Sequence, residues 1–222
     1  MRKIIITTFM TMDGVLQAPG GPTEDPTHGF KWGGWSAPYG DEVIMETLGK
    51  IMAEPFDLLL GRFTYDIFSA YWPYVKDNPI AEKFSNIEKF VVSGKPIELT
   101  WAKSTLITGD VVAGLKELKK QDGPNLLVHG SSKLVQTLLA NGLADQLHIW
   151  TYPITLGKGK RLFGEGTQPA AWKLTEIKHS TTGVILASYE PSGEVKIGDL
   201  TNPEQEPSAA EIARRERIAK EV

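Results

Sequence analysis

The stretch that decides the fold of this 222-residue chain is Asp57-Leu58-Leu59-Leu60-Gly61-Arg62-Phe63-Thr64. A short apolar run, typical of a buried strand, ends at a glycine, and a helix is predicted to open at the hydroxyl residue Thr64. The same pattern returns at Asn125-Leu126-Leu127-Val128-His129-Gly130-Ser131-Ser132. Such turns present free backbone N–H groups and the positive end of a helix dipole to an anion. Two of them in one small domain predict a nucleotide held at more than one phosphate site.

The rest of the chain extends this alternation of strands and helices. The predicted elements are, in chain order, strand 3–10, helix 41–53, strand 57–61, helix 64–72, strand 88–93, strand 104–108, helix 110–121, strand 125–130 and helix 132–141. Strands predominate afterwards, with a β-rich run over 145–156 and a hairpin formed by 172–179 and 183–190. This order predicts an α/β fold with a mainly parallel central sheet and an antiparallel C-terminal edge.

Two segments interrupt the alternation. Residues 17–40 form a long loop rich in Gly, Pro and Trp, and its aromatic residues Phe30, Trp32 and Trp35 argue against disorder, so we expect a functional loop. From Pro191 onward the chain is polar, and we interpret 191–207 as a linker and 208–221 as a helix that starts with a capping-box spacing. The alternative is a solvated, frayed tail, because short isolated helices are marginally stable.

Composition excludes several classes of function. The formal net charge of −3 gives no reason to expect nucleic acid or an anionic membrane as a partner. The absence of cysteine excludes disulfides, Cys-ligated zinc and thiol catalysis. The four histidines lie far apart in the sequence, so no metal site is expected. No stretch approaches membrane-spanning length, and a cytoplasmic protein is the expectation.

Each short motif is weak when taken singly. The segment 61–64 also fits an ordinary helix start with Arg62 at the surface, and 130–132 also fits a tight turn with a serine cap. The basic, glycine-containing run 156–163 fits either an anion site or a solvated turn. Neither a Gly-x-Gly-x-x-Gly fingerprint nor a Gly-Lys-Ser/Thr segment is present, which disfavours the Rossmann and P-loop types of site.

The order of the motifs is more specific than any one of them. In sequence they are Thr11-Met12-Asp13-Gly14, Gly61-Arg62-Phe63-Thr64-Tyr65, Val91-Val92-Ser93, Gly130-Ser131-Ser132 and Leu156-Gly157-Lys158-Gly159-Lys160-Arg161-Leu162-Phe163. This set resembles the dihydrofolate reductase-like superfamily. It is most similar to the bacterial bifunctional deaminase-reductase C-terminal domain family, which includes the pyrimidine reductase of riboflavin biosynthesis. The resemblance implies a reductase domain over 1–190, with 191–222 as an added linker and helix.

The resemblance also implies an NADPH site on a sheet with helices on both faces. The phosphates on the adenosine side would lie at the turn 61–64, the 2′-phosphate beside 93–95, and the pyrophosphate at 130–133, while the loop 13–15 would border the nicotinamide. The cofactor-binding residues implied are Gly14, Val15, Gly61, Arg62, Phe63, Thr64, Ser93, Gly94, Lys95, Gly130, Ser131, Ser132 and Lys133. The loop 17–40 would cover the cleft for a small-molecule substrate, and a homodimer is expected.

The catalytic acid departs from the family pattern. Dihydrofolate reductases carry a carboxylate on the first helix, and an ungapped count from Gly61 places Met45 there. The candidates that remain are Asp13, on the substrate side, and Asp41, which also fits a helix N-cap. The expected function is an NADPH-dependent reductase most like 5-amino-6-(5-phosphoribosylamino)uracil reductase. The alternatives are a dihydrofolate or pteridine reductase and a non-catalytic NADPH-binding protein.

Overall fold

The computed structural model describes residues 1–164, 167–198, 200 and 206–221. Their core is an eight-stranded sheet with the strand order β4-β3-β2-β5-β1-β6-β8-β7. The strands are β1 Ile4–Thr11, β2 Phe56–Gly61, β3 Lys89–Val92, β4 Ser104–Ile107, β5 Asn125–His129, β6 Gln146–Tyr152, β7 Trp172–His179 and β8 Ile185–Pro191. The first six strands in chain order pair in parallel, whereas β8 pairs antiparallel with β6 and β7. The predicted mainly parallel sheet with an antiparallel edge is confirmed.

Within the described residues, six α-helices accompany the sheet. They are α1 Glu42–Ala53, α2 Arg62–Tyr71, α3 Pro79–Asn86, α4 Val111–Lys120, α5 Ser132–Ala140 and α6 Ala209–Ile218. Helix α2 begins at Arg62 rather than at Thr64, because Gly61 occupies the N-cap position. Helix α3 was not predicted, although Asn78 caps it through the N–H groups of Ile80 and Ala81.

Apolar side chains cover both faces of the sheet. Along β1, Ile4 and Ile6 belong to the cluster that contains Leu115 of α4 and Leu138 of α5. Ile5, which points the other way, packs against the cluster built from α2, α3 and the alternate residues of β2 and β5. Because successive strand residues face opposite sides, this division requires helices on both faces, as predicted.

The carboxyl end of the sheet contains a notch above β5. The pairing of β1 with β5 ends at Thr7↔His129, while the pairing of β1 with β6 continues to Thr11↔Tyr152. On the other side, the pairing of β2 with β5 ends at Leu58↔Leu127, three residues before β2 itself ends at Gly61. Both neighbours therefore overrun the short strand β5, and open α/β sheets bind ligands at such interruptions of the carboxyl edge.

The loop between β1 and α1 is folded over this end of the sheet. Its Trp35 indole donates to the carbonyl of Gln17 at 2.7 Å and lies edge-on to the Tyr152 ring at a centroid distance of 5.1 Å. Phe30 and Trp35 are buried, whereas 58% of Trp32 is exposed. Phe30 and Trp35 thus anchor the loop, which is ordered, as the sequence led us to expect.

Helix α6 follows the last strand as a separate exposed element. The Ser208 hydroxyl accepts a hydrogen bond from the N–H of Glu211 at 3.2 Å, which confirms the predicted cap. The Glu211 carboxylate pairs with Arg214 and Arg215 on the same helix. Among the residues that the structure describes, no helix has both the length and the apolarity needed to cross a membrane.

Candidate functional site

The two turns singled out in the sequence meet in space at Ser131. The Ser131 hydroxyl accepts a hydrogen bond from the N–H of Gly61 at 3.0 Å and is hydrogen-bonded to the hydroxyl of Thr64. A Cβ at position 61 would lie 2.6 Å from Ser131 Oγ, so the close approach requires glycine. The N-termini of α2 and α5 are therefore held side by side at the carboxyl edge of the sheet.

These two N-termini are also the uncapped ones among the six α-helices of the described part of the chain. Asp41, Asn78, Asp110 and Ser208 each cap a helix through the side chain. Gly61 and Ser131 provide no such cap. Gly130 and Ser131 both have positive φ angles, 64° and 66°, which turn the chain sharply before α5. The first N–H groups of both helices are thus left for an anion.

Cationic and aromatic side chains border this pair of helix ends. The Arg62 guanidinium lies 4.1 Å from the centre of the Phe63 ring and pairs with Asp66 at 2.6 Å. The Lys160 ammonium lies 4.7 Å from the same ring. About two fifths of the Arg62 side chain is exposed. An exposed ion pair contributes little to stability. Arg62 could therefore leave Asp66 and pair with a phosphate at little cost in free energy.

The other predicted cofactor residues lie at neighbouring strand and helix ends. Lys133 is exposed in the first turn of α5. Ser93 is buried, and its hydroxyl donates to the carbonyl of Lys95 at 2.6 Å while accepting from the Lys95 N–H. Gly94 and Lys95 are exposed just beyond β3. The Ser93 hydroxyl is thus engaged in its own turn, and the exposed groups of this segment belong to Gly94 and Lys95.

Asp13 connects the loop after β1 to the turn at 156–157. Its carboxylate accepts from the Thr11 hydroxyl at 2.5 Å, the Gly157 N–H at 2.7 Å and the Leu156 N–H at 3.2 Å. Burial raises the pKa of Asp13, but these hydrogen bonds together lower it by more, so the net pKa lies below the usual value. The structure gives Asp13 a positioning role as an ionised acceptor, and a catalytic role for it stays a prediction.

Asp41 is engaged in a similar way at the start of α1. One carboxylate oxygen accepts from the Ile44 N–H at 2.9 Å as an N-cap. The other accepts from the N–H of Thr181 at 2.7 Å and from its hydroxyl at 2.9 Å. The bond from Ile44 is the largest cause that lowers the pKa of Asp41. The geometry therefore favours the cap over the relocated acid, and we leave Asp41 out of the proposed machinery.

Gly14 and Val15 are fixed by the basic run 156–163. The Leu162 N–H donates to the Gly14 carbonyl at 3.0 Å, and Val15 is fully buried. Gly159 passes so close that a Cβ there would lie 2.5 Å from Val15 Cγ1. The basic run thus packs against the loop after β1, while Lys158 and Arg161 remain exposed.

A pocket of about 470 Å³ lies between this run and the long loop. Its lining residues are Gln17, Thr27, His28, Gly29, Phe30, Lys31, Trp32, Lys158, Gly159 and Lys160. The buried Gln17 amide joins the two walls, because it donates to the Asp25 carbonyl at 2.9 Å and accepts from the Lys160 N–H at 3.0 Å. Lys160 also pairs with Asp25 at 2.5 Å.

Sequence reasoning missed Gln17 and Asp25. The alternation of glycine and basic residues drew attention to the 156–163 run. No local sequence pattern predicts which residues contact it, because Asp25 and Lys160 are 135 residues apart. In the ranges that the structure describes, no group of three or more His, Asp or Glu side chains gathers as metal ligands would.

Comparisons with known proteins agree with this geometry. The uncharacterized protein YyaP of Bacillus subtilis is 25% identical over 201 residues, which cover 86% of this chain and 96% of that protein. A putative riboflavin biosynthesis protein from Shewanella sp. PV-4 superposes with a TM-score of 0.61 at 20% identity, covering 86% of this chain and 99% of that one.

The dihydrofolate reductase of Enterococcus faecalis, solved in complex with NADP(H), superposes with a TM-score of 0.51 at 14% identity, covering 85% of this chain and 96% of that one. The fold is thus dihydrofolate reductase-like, as predicted. A family model described as the RibD C-terminal domain matches residues 2–186. The chain belongs to the RibD C-terminal domain family.

Proposed function

We propose that this protein is an NADPH-dependent reductase of a small heterocyclic or ribosylamino substrate, most like 5-amino-6-(5-phosphoribosylamino)uracil. The observation that carries the proposal is the pair of uncapped helix N-termini joined by Ser131. Membership of the RibD C-terminal domain family supports a reductase of this kind. When bound, the nicotinamide supplies the hydride, and the protein supplies binding, orientation and electrostatics.

The residues present fit a dinucleotide phosphate. A Cβ at position 61 would collide with Ser131, which lies between the two helix ends. The close approach of the two helix N-termini therefore requires glycine at position 61. We assign Gly61, Arg62, Phe63 and Thr64 to one phosphate region and 130–133 to the pyrophosphate. The exposed Arg62 and Lys95 are the cations for further phosphate charge.

The substrate is proposed to enter the pocket between the long loop and the basic run. Lys31, Lys158 and Lys160 line this pocket, and Asp25 is the carboxylate that pairs with one of them. A net positive lining favours an anionic substituent such as a phosphate. Met45, at the position of the folate-type acid, is 62% exposed and carries no charge. Both features favour the phosphorylated pyrimidine over dihydrofolate.

Substrate preference tests this proposal. We expect the purified protein to oxidise NADPH with 5-amino-6-(5-phosphoribosylamino)uracil at least about tenfold faster than with dihydrofolate, because a lost charge-assisted contact costs about a factor of ten. The measurement is the loss of NADPH absorbance at equal substrate concentrations. Lys158→Ala is expected to raise KM for the phosphorylated substrate while leaving kcat close to that of the parent protein.

Two other outcomes would redirect the assignment. Faster turnover of dihydrofolate, with no effect of Lys158→Ala, would favour the pteridine reductase instead. Binding of NADPH without turnover of any pyrimidine or pteridine would favour a non-catalytic NADPH-binding protein.

A further inference from the structure

Two buried polar atoms at the notch of the sheet have no hydrogen-bond partner among the described residues. They are Thr7 Oγ1 and His129 Nε2. Thr7 is 2% exposed, and the His129 ring lies beside the stacked rings of Phe68 and Phe84, at centroid distances of 6.4 and 6.2 Å. Buried polar side chains are nearly always hydrogen-bonded in folded proteins, so two unpartnered ones together require an explanation.

The sheet places these two residues side by side. Thr7 and His129 are register partners in the parallel ladder between β1 and β5, and side chains at matched positions face the same side of the sheet. The preceding pair on that face is Ile5 and Leu127, both apolar. The change from an apolar to a polar pair therefore comes at the last rung of the ladder, where β5 ends and the notch begins.

The position of the pair joins it to the site already described. His129 directly precedes Gly130 and Ser131, and the Gly130 N–H approaches the Thr7 carbonyl at 3.4 Å. Beyond Thr7, strand β1 has no strand neighbour on the β5 side. A group bound in the notch would thus meet Thr7 and His129 at its inner end and the two helix N-termini at its rim.

The chemistry of the pair is neutral. Burial lowers the pKa of His129 to about 4, so the imidazole is uncharged at neutral pH. A hydroxyl and a neutral imidazole can each donate or accept one hydrogen bond, and they match a neighbouring donor and acceptor on an uncharged ring. They cannot neutralise a buried charge, which would be costly to bind there.

We propose that Thr7 Oγ1 and His129 Nε2 form the inner wall of the substrate site and hydrogen-bond to the uncharged lactam edge of a pyrimidine or a related heterocycle. The inference rests on the proposed function and assigns to these residues the selection of the ring. It separates ring recognition at the notch from recognition of the anionic substituent in the basic pocket.

The test uses a matched pair of probes on the full chain saturated with NADP⁺. Diaminouracil carries free lactam N–H groups, whereas the dimethyl analogue, which is methylated on both ring nitrogens, has these groups blocked. We expect diaminouracil to shift the ¹⁵N signals of the His129 ring, identified by their absence in His129→Phe, and the dimethyl analogue to leave them in place. Thr7→Val and His129→Phe are each expected to raise the Kd of diaminouracil about tenfold, since each removes one buried partner.

Ser104→Ala is the matched control, because Ser104 Oγ is the third unpartnered buried side-chain atom of the described residues and lies on β4, away from the notch. It should leave the Kd unchanged. Unmoved His129 signals, or a Kd unaltered in Thr7→Val and His129→Phe with melting temperatures at or above the parent value, would overturn the inference. If NADPH still stabilises the parent protein in that case, the proposed function stands and only the role of this pair fails.

Discussion

Gly61→Ala is expected to weaken NADPH binding at least about tenfold and to destabilise the fold by about 1–3 kcal/mol. The new Cβ would lie 2.6 Å from Ser131 Oγ and 3.0 Å from Ser131 Cβ. Ser131 must then move, and it loses its hydrogen bonds to the Gly61 N–H and the Thr64 hydroxyl. The two helix ends separate, so one dinucleotide can no longer use both. Calorimetric titration with NADPH and urea unfolding measure the two effects.

Two variants serve as controls for this effect. Gly49→Ala makes the same substitution in α1, where nothing lies within 4 Å of the added Cβ, and it should stabilise the helix slightly. Adding Ser131→Gly to Gly61→Ala removes the clash, so the double variant should regain stability relative to Gly61→Ala. Parent-like NADPH affinity in Gly61→Ala would contradict the joined-cradle interpretation.

Asp57→Ala is expected to destabilise the protein by about 3–5 kcal/mol, because it leaves the buried Arg2 guanidinium without its counter-charge. Arg2 is 4% and Asp57 6% exposed, and the two form an ion pair. Asp57 also accepts from the Glu88 N–H at 3.1 Å, and Arg2 donates to the Pro124 carbonyl at 2.6 Å. The pair thus connects the chain start to β2 and to the segments that precede β3 and β5.

The midpoint of urea unfolding measures this loss. Asp66→Ala removes the carboxylate of the exposed Arg62–Asp66 pair and should cost less than about 1 kcal/mol. A similar loss of unfolding free energy in the two variants would show that the buried Arg2–Asp57 pair contributes no more to stability than an exposed pair.

The strand and helix pattern was predictable from the sequence because its signals are local. The runs 58–60 and 126–128 are apolar and short, and glycine ends both predicted strands. The predicted start of α2 was wrong by two residues, because a hydroxyl residue is usually a better N-cap than glycine and Thr64 was therefore placed at the start of the helix. Here Thr64 instead reaches Ser131, 67 residues away. No pattern within one segment shows such a partner.

The candidate site was predictable in outline and not in its connections. Both glycine-containing turns were located from the sequence, but their meeting at Ser131 follows from the adjacency of β2 and β5, and anion binding there stays a prediction. The pairing of Thr7 with His129 depends on strand register, which the sequence of either strand leaves open. The carboxylates of Asp13 and Asp41 looked available in the sequence, yet backbone N–H groups occupy both. A homodimer and a cytoplasmic location stay predictions.

Thermal stabilisation by NADPH tests the central claim most directly. At a hundred times its Kd, a ligand that binds only the folded state adds about 2.7 kcal/mol of stability. We predict such a shift for the parent protein and for Arg214→Ala, whose arginine lies on the exposed helix α6. A much smaller shift is predicted for Arg62→Ala and for the parent protein with NADH. The absence of any shift with NADPH would contradict the account.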